Sequence, residues 1–188
     1  MRKCFCILLL MALLLCSCGS PTNNPASNVE IKQVSVRQLE TLFDENMRCV
    51  EELLVLGALP HSADAVLHGH IYPVKSVEFQ TLAELETYLK TVYTAKETER
   101  LLDADGSPLY LEVHGVLCVD THRIGGKPYN VDWEKRKITI DSIDKDRCHF
   151  TVTGTQPAAN NPEETESYTL SGSAVYENGK LVLEKILY

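Results

Sequence analysis

The chain has 188 residues, and its 26 acidic residues outnumber its 18 basic residues to give a formal net charge of −8. This acidic balance argues against nucleic acid or an anionic surface as a partner, because both require a basic patch. The acidity is compatible with a basic protein partner, and it is also a common device for solubility. The length suits one domain with a substantial buried core.

The N-terminus has the pattern of a bacterial lipoprotein signal. Arg2 and Lys3 precede an apolar run over residues 5–15, which is too short to span a bilayer as a stable helix. The stretch Leu15-Cys16-Ser17-Cys18 then places a small residue directly before Cys18, the arrangement called a lipobox. We predict a signal peptide over residues 1–17 and a lipid on Cys18 that holds the protein at the extracytoplasmic face of a cell membrane. Cys16 is a weaker candidate for the lipid, and an ordinary secretory signal is the alternative.

The segment after Cys18 is predicted to be a tether, followed by a single domain. Residues 18–28 are rich in Pro, Asn and Ser, which is typical of a flexible linker, and the domain is expected over residues 29–188. Loss of Arg2 and Lys3 with the signal would change the net charge from −8 to −10. Three cysteines remain in the domain without metal-like spacing, so we expect small buried side chains and at most one disulfide. They are Cys49, Cys118 and Cys148.

The first half of the domain has helical periodicity. Ser35-x-x-Gln38 is a capping box, and apolar residues at three- and four-residue steps predict one long amphipathic helix over 35–56. Two further boxes, Thr81-x-x-Glu84 and Thr94-x-x-Glu97, predict a pair of shorter helices. A short edge strand is expected between the long helix and this pair, over residues 71–79. The expected core stripe of the long helix contains Leu39, Phe43, Met47 and Val50.

From Leu109 onward the apolar residues alternate with polar ones, which predicts antiparallel strands. Turns are expected at His114-Gly115, at 144–146 and at Asn178-Gly179, where Asn-Gly is the strongest short hairpin signal. A polar loop is expected over 157–165. We therefore predict an α+β fold in which N-terminal helices, one long and then a short pair, pack on a curved antiparallel meander sheet.

Two groups of side chains could form a metal-binding or catalytic site. His61, His68 and His70, with Asp64, could form a metal site, but the same spacing is typical of an exposed loop, and we predict no metal. A second set, Glu112, His114 and Asp120, could act as acid and base, although alternate strand positions also place polar residues in solvent. The sequence has no nucleophile elbow, HExxH, Walker loop or dinucleotide fingerprint, so we predict neither an enzyme nor a cofactor.

A family resemblance adds to this interpretation. The run Leu85-x-x-Tyr88-Leu89-x-x-x-Tyr93-Thr94, followed by Glu97 and Leu101-Leu102, resembles the helical block of the bacterial DL-endopeptidase inhibitor family, IseA type. Further matching features occur in the same order over most of residues 35–188. They are Tyr72, the stretch His114-Gly115-Val116-Leu117, Trp133 after a Gly-rich loop, and a closing hairpin over 178–188. The chain departs from the family pattern at His114, where an acid is commoner, and at Cys118, which is often aromatic.

The resemblance implies an exported protein that inhibits cysteine peptidases of the cell wall. These enzymes cut the bond between D-Glu and the diamino acid in peptidoglycan stems, and the family blocks them with a mobile glycine-containing loop. The loop that matches best is 120–129, where the two glycines would allow positive φ and close approach. The residues expected in this inhibitory loop are Asp120, Arg123, Gly125, Gly126, Lys127 and Tyr129.

Two other classes of function remain open. One is an extracytoplasmic small-ligand binding module with a cone-shaped sheet, as in nuclear transport factor and cystatin relatives. A deep apolar pocket under the sheet would favour that module, whereas a protruding loop at 120–129 on a filled core would favour the inhibitor. The other is a hydrolase, which would require His114, Asp120 or Glu112 to converge in a cleft.

Overall fold

The computed structural model of the protein describes residues 33–188, except residues 65–66, 68 and 127–129. The predicted signal peptide, the tether and Cys18 lie outside the described residues. The helices are α1 (Val36–Arg48), which continues as a π-helix over Cys49–Leu54, then α2 (Leu82–Val92) and α3 (Ala95–Asp103). No helix in the described part of the chain is long and apolar enough to cross a membrane.

The strands form two antiparallel sheets. In the first sheet the order is β1-β3-β2, with β1 (Ile71–Pro73), β2 (Tyr110–Val113) and β3 (Val116–Asp120). In the second sheet β4 (Asp132–Asp144), β5 (Arg147–Ala158), β6 (Asn161–Glu177) and β7 (Lys180–Leu183) follow one another in sequence order. The predicted α+β fold is confirmed, since the helices come first and a strand meander follows.

Two of the three predicted capping boxes are complete. The side chains of Ser35 and Thr81 each accept a hydrogen bond from the backbone N–H three residues on, and the backbone N–H of each donates the reciprocal bond to that residue's side chain. At α3, Thr94 accepts from the Glu97 N–H, but the Glu97 carboxylate instead binds Arg100 and the backbone N–H of Ile186. Glu97 therefore ties α3 to the C-terminal segment of the chain.

The long β5–β6 hairpin differs from the sequence prediction. The expected polar loop over 157–165 is wrong, because Pro157 pairs with Thr165 and only residues 159 and 160 form a turn. This part of the hairpin exposes most of its side chains, so it lacks the apolar alternation by which strands are recognised. The first predicted strand is also shorter than expected, since β1 ends at Pro73, a residue that sheets admit at edges and strand ends.

The predicted stripe of α1 lies in the core. All four expected residues are buried, and the Phe43 ring meets the Trp133 ring of β4 edge to face at 5.2 Å. Trp133 in turn lies on Gly154 of β5, where a Cβ would stand 2.6 Å from the indole ring. Glycine at this position lets the indole approach the sheet closely. The core between α1 and the second sheet is therefore built around a large aromatic pair.

A buried amide joins three remote parts of the chain. The Asn46 Oδ1 accepts hydrogen bonds from the Tyr93 hydroxyl and from the Leu187 N–H, each at 3.0 Å. The Asn46 Nδ2 donates to the Leu187 carbonyl at 2.8 Å. Burial raises the pKa of Tyr93, so the phenol remains a protonated donor. This amide therefore fixes the C-terminal segment against α1 and the end of α2.

The three cysteines of the domain are buried, as predicted, and all three are free thiols, so the one disulfide that the sequence left open does not form. Burial raises the pKa of the Cys49 thiol to about 11. The thiolate is the reactive form, so this side chain behaves as a small hydrophobic group.

Phe43→Ala should lower the free energy of unfolding by about 3–5 kcal/mol, because it removes a fully buried aromatic ring and leaves a cavity beside Trp133. Urea denaturation followed by circular dichroism measures the change. Val36→Ala is the matched control on the same helix, because Val36 is 40% exposed and should cost far less. A loss below about 1 kcal/mol for Phe43→Ala would contradict its place in the core.

Asn46→Ala should cost about 3 kcal/mol, since it leaves the Tyr93 hydroxyl and both polar backbone groups of Leu187 without their partner. Asn161→Ala removes comparable hydrogen bonds at the exposed hairpin tip and should change stability by about 0.5 kcal/mol or less. Equal effects of the two substitutions in the same denaturation experiment would show that the buried amide is not a stabilising contact.

Candidate functional site

The candidate loop begins at the end of β3 with a capped turn. Residues Thr121–Arg123 form one turn of 3₁₀-helix, and the Asp120 Oδ1 accepts the His122 N–H at 3.0 Å. The other carboxylate oxygen of Asp120 lies 3.9 Å from the Arg123 Nε. This ion pair is exposed and long, so it contributes little stability, and the cap is the contact that shapes the turn.

Two other segments of the chain hold the described part of the loop. The Thr121 N–H and hydroxyl both donate to the His70 carbonyl, at 3.0 and 3.3 Å. Further along, the Gly126 N–H donates to the Val55 carbonyl at 3.0 Å. The loop is thus attached at its start to the segment before β1 and at Gly126 to the chain that leaves the π-helix.

The two glycines of the loop have different roles. A Cβ on Gly126 would lie 2.5 Å from the Leu56 Cδ2 and 2.9 Å from the Val55 Cγ1, so glycine is needed for close approach. A Cβ on Gly125 would meet no atom of the described residues within 4 Å. Neither glycine has a positive φ, so the expectation that they serve this backbone conformation is wrong. Gly126 is a point of attachment, and Gly125 faces open space.

A buried tyrosine fixes the surface on which Gly126 rests. The Tyr110 hydroxyl of β2 donates to the Leu53 carbonyl at 2.7 Å and accepts the Leu59 N–H at 2.8 Å. It therefore satisfies a carbonyl at the end of the π-helix and holds the chain that follows. Burial raises the pKa of Tyr110, which keeps the hydroxyl available as a donor. Sequence reasoning missed this residue, because its inward strand position gave no sign of a partner 57 residues away.

The described histidines near the loop lie against other aromatic rings. The His70 and His122 rings are stacked with centroids 3.2 Å apart, and the His61 ring instead lies against Tyr72 at 5.5 Å. His68 lies outside the described residues. Among the residues that the structure describes, no group of three or more His, Cys, Asp or Glu side chains could hold a metal ion.

The suggested acid–base set is spread along one hairpin. Asp120 stands at the open end, where its N–H donates to the Leu109 carbonyl at 2.8 Å. His114 lies in the turn at the opposite end of the hairpin, with φ of 53°, and Glu112 pairs with Leu117 between them. Since successive residues of a strand advance by about 3.4 Å, these side chains do not converge on one reacting group.

Four of the six predicted loop residues can therefore be placed. Asp120 shapes the turn, Arg123 is half exposed, Gly126 anchors the loop and Gly125 is open to an approaching surface. The other two, Lys127 and Tyr129, lie outside the described residues. This arrangement offers a backbone segment with fixed ends rather than a set of reactive side chains. No protein-family model matches the chain, and comparison with curated proteins finds no significant match.

Proposed function

We propose that the protein is a lipid-anchored extracytoplasmic inhibitor of the cysteine peptidases that cleave peptidoglycan stems. In this proposal the loop 120–129 enters the active-site cleft of the enzyme and moderates cell-wall hydrolysis. The observation that carries the proposal is the loop itself. It is held at Thr121 and Gly126, and at Gly125, between these points, a Cβ would meet no described atom within 4 Å.

Attachment at both points favours tight binding to a cleft. A loop that is already ordered loses less conformational entropy when it binds, so more of the contact energy appears as affinity. The family resemblance implies a mobile loop, whereas the part described here is tied to His70 and Val55. We therefore attribute inhibition to a preformed shape in residues 120–126.

The missing side chain at Gly125 supports the same mode of action. The catalytic cleft of a peptidase that accepts an extended stem peptide is narrow, and its walls can approach a glycine backbone closely. The formal net charge, −10 once Arg2 and Lys3 leave with the signal, would also speed the encounter with a basic catalytic domain. That effect acts on the association rate more than on the final affinity.

The small-ligand module has less support in the described structure. That alternative requires a deep apolar pocket beneath the sheet. The space between α1 and the second sheet is instead filled by large buried side chains, including Phe43, Trp133 and Phe150.

Gly125→Trp should abolish or weaken inhibition at least tenfold, because it adds a bulky group at the point that enters the cleft. The fold should be unchanged, since the new side chain begins in open space. The matched control is Val77→Trp, which enlarges a side chain that is 97% exposed on a different loop. Release of fragments from purified peptidoglycan by a wall DL-endopeptidase measures inhibition, with thermal melting as the check on folding.

Each possible result of that assay bears on a different part of the proposal. If the wild-type protein fails to inhibit any of several wall endopeptidases, the inhibitor function is wrong. If folded Gly125→Trp inhibits as well as Val77→Trp and the wild type, the function stands but the loop assignment is wrong.

Cys18→Ala should abolish lipid attachment, because Cys18 is the residue that the lipobox predicts as the acceptor. Cys16→Ala is the matched control and should leave the lipid in place. Mass spectrometry of the N-terminal peptide distinguishes the two variants. A lipid that survives in Cys18→Ala, or a wild-type N-terminus that begins unmodified after residue 18, would contradict the anchor.

A further inference from the structure

Among the described strands, none pairs with a long stretch of one edge of β6. It contains 17 residues, but β7 pairs with only residues 174–177. One further hydrogen bond, from the Glu184 N–H to the Ser173 carbonyl at 3.0 Å, continues the ladder. N-terminal to Ser173, within the described part of the chain, β6 pairs with β5 on one side and with no strand on the other.

The pairing pattern identifies which backbone groups face this open side. In antiparallel strands the N–H and C=O of successive residues point to alternate sides. Because the Ser173 carbonyl accepts the Glu184 N–H, the polar backbone groups of Ser171 and Thr169 point to the same side, where no strand of the described chain pairs with them. An edge of this kind is a template for the addition of another strand.

The open edge borders a groove on the domain. It has a volume of about 1230 Å³ and lies between residues 170–173 of β6, the start of α3 and the C-terminal segment 184–188. Leu187 forms part of its floor, since a Cβ on Gly172 would stand 2.8 Å from the Leu187 Cδ1. Leu170 and Ile186 also line the groove, so its base offers apolar contacts beside the exposed backbone.

Of the three glutamates that line the groove, Glu97 and Glu184 are paired with arginines, and Glu177 accepts the Ala95 N–H at 3.1 Å. Glu97 receives two hydrogen bonds of 2.8 Å from Arg100 and one of 3.0 Å from the Ile186 N–H. Burial raises the pKa of Glu97, but these contacts outweigh it, and the net pKa is lowered. Glu184 is held in the same way, by Arg147 at 2.7 Å and by the Ser173 hydroxyl at 2.6 Å.

Three basic side chains on the groove are not paired with these glutamates. Lys96, Lys185 and His149 line it and are exposed. None of them forms an ion pair within 4.0 Å with a carboxylate of the described residues. Lys185 and His149 act on Glu97 and Glu184 only at longer range. The groove thus has available positive charge on a protein whose net charge is negative.

We propose that this groove binds an extended acidic peptide segment as an added strand of the second sheet. The backbone of the ligand pairs with Thr169 and Ser171, and its carboxylates lie against Lys96, Lys185 and His149. Backbone pairing supplies affinity in this mode of recognition, and the charges select the sequence. Three glutamates on the protruding half of β6 repel acidic residues at the other end of the ligand: Glu163, Glu164 and Glu166. This site shares no residue with loop 120–129 and does not depend on the inhibitor function.

The first test uses the full-length protein in detergent and a blocked hexapeptide of alternating threonine and glutamate. NMR hydrogen exchange should show fast exchange at Thr169 and Ser171 without the peptide, and slow exchange at Leu170 and Gly172, which face β5. The peptide should slow the exchange of Thr169 and Ser171. A version with N-methyl groups on alternate residues, and a version with lysine in place of glutamate, should each bind at least tenfold more weakly.

The second test changes the charge of the groove. The double substitution Lys96→Glu and Lys185→Glu should weaken peptide binding by about tenfold or more, because each reversal replaces attraction by repulsion. Lys135→Glu with Lys137→Glu on β4 is the matched control, since it changes net charge equally but lies outside the groove. The control should bind within about twofold of the wild type.

Three results would overturn the proposal. One is equal binding of the N-methylated and unmodified peptides, because the backbone would then play no part. Another is equal weakening by both pairs of lysine substitutions, because only overall charge would then matter. The third is concentration-dependent protection of Thr169 and Ser171 without peptide, together with a dimer in sedimentation, because the edge would then be occupied by a second copy of the chain.

Discussion

The buried amide of Asn46 is the contact on which the arrangement of the helices and the second sheet depends. It joins α1, the residue after α2 and the C-terminal segment, and it uses its oxygen twice and its nitrogen once for these bonds. A buried polar group without a partner costs about 1–3 kcal/mol, so this geometry disfavours other registers of the three segments. With Leu187 fixed in this way, Ile186 is placed to bind Glu97, and the groove between α3 and β6 acquires its floor.

The C-terminal end of α1 supports the candidate loop. α1 passes into a π-helix, and such segments often occur at functional positions. The chain must then turn sharply, and a Cβ on Gly57 would stand 2.5 Å from the Glu51 carbonyl oxygen. The Tyr110 hydroxyl accepts the Leu59 N–H after this turn, and the Val55 carbonyl accepts the Gly126 N–H. The position of the exposed loop therefore depends on the buried Tyr110 hydroxyl and on the close backbone approaches at Gly57 and Gly126.

Local sequence signals predicted what local interactions determine. Capping boxes at Ser35 and Thr81 and the Asn178-Gly179 turn depend on residues within a few positions of one another. The roles of Asn46 and Tyr110 could not be predicted, because their partners are 141 and 57 residues away in the chain. The separate roles of the two glycines in the candidate loop could not be predicted for the same reason. The sequence predicts a Gly-rich loop there, but only the neighbouring Val55 and Leu56 side chains distinguish the anchoring glycine from the open one.

The free buried thiols have a consequence for how the domain loses its structure. Export, as proposed, would place Cys49, Cys118 and Cys148 in an oxidising compartment, where the native packing shields all three from exchange. Unfolding would expose an odd number of thiols at once, and any pair that formed would cross-link positions far apart in the chain. Such a cross-linked chain could not return to the native core until it was reduced again. Persistence of the folded domain outside the cell would therefore be governed by its unfolding rate rather than by its equilibrium stability.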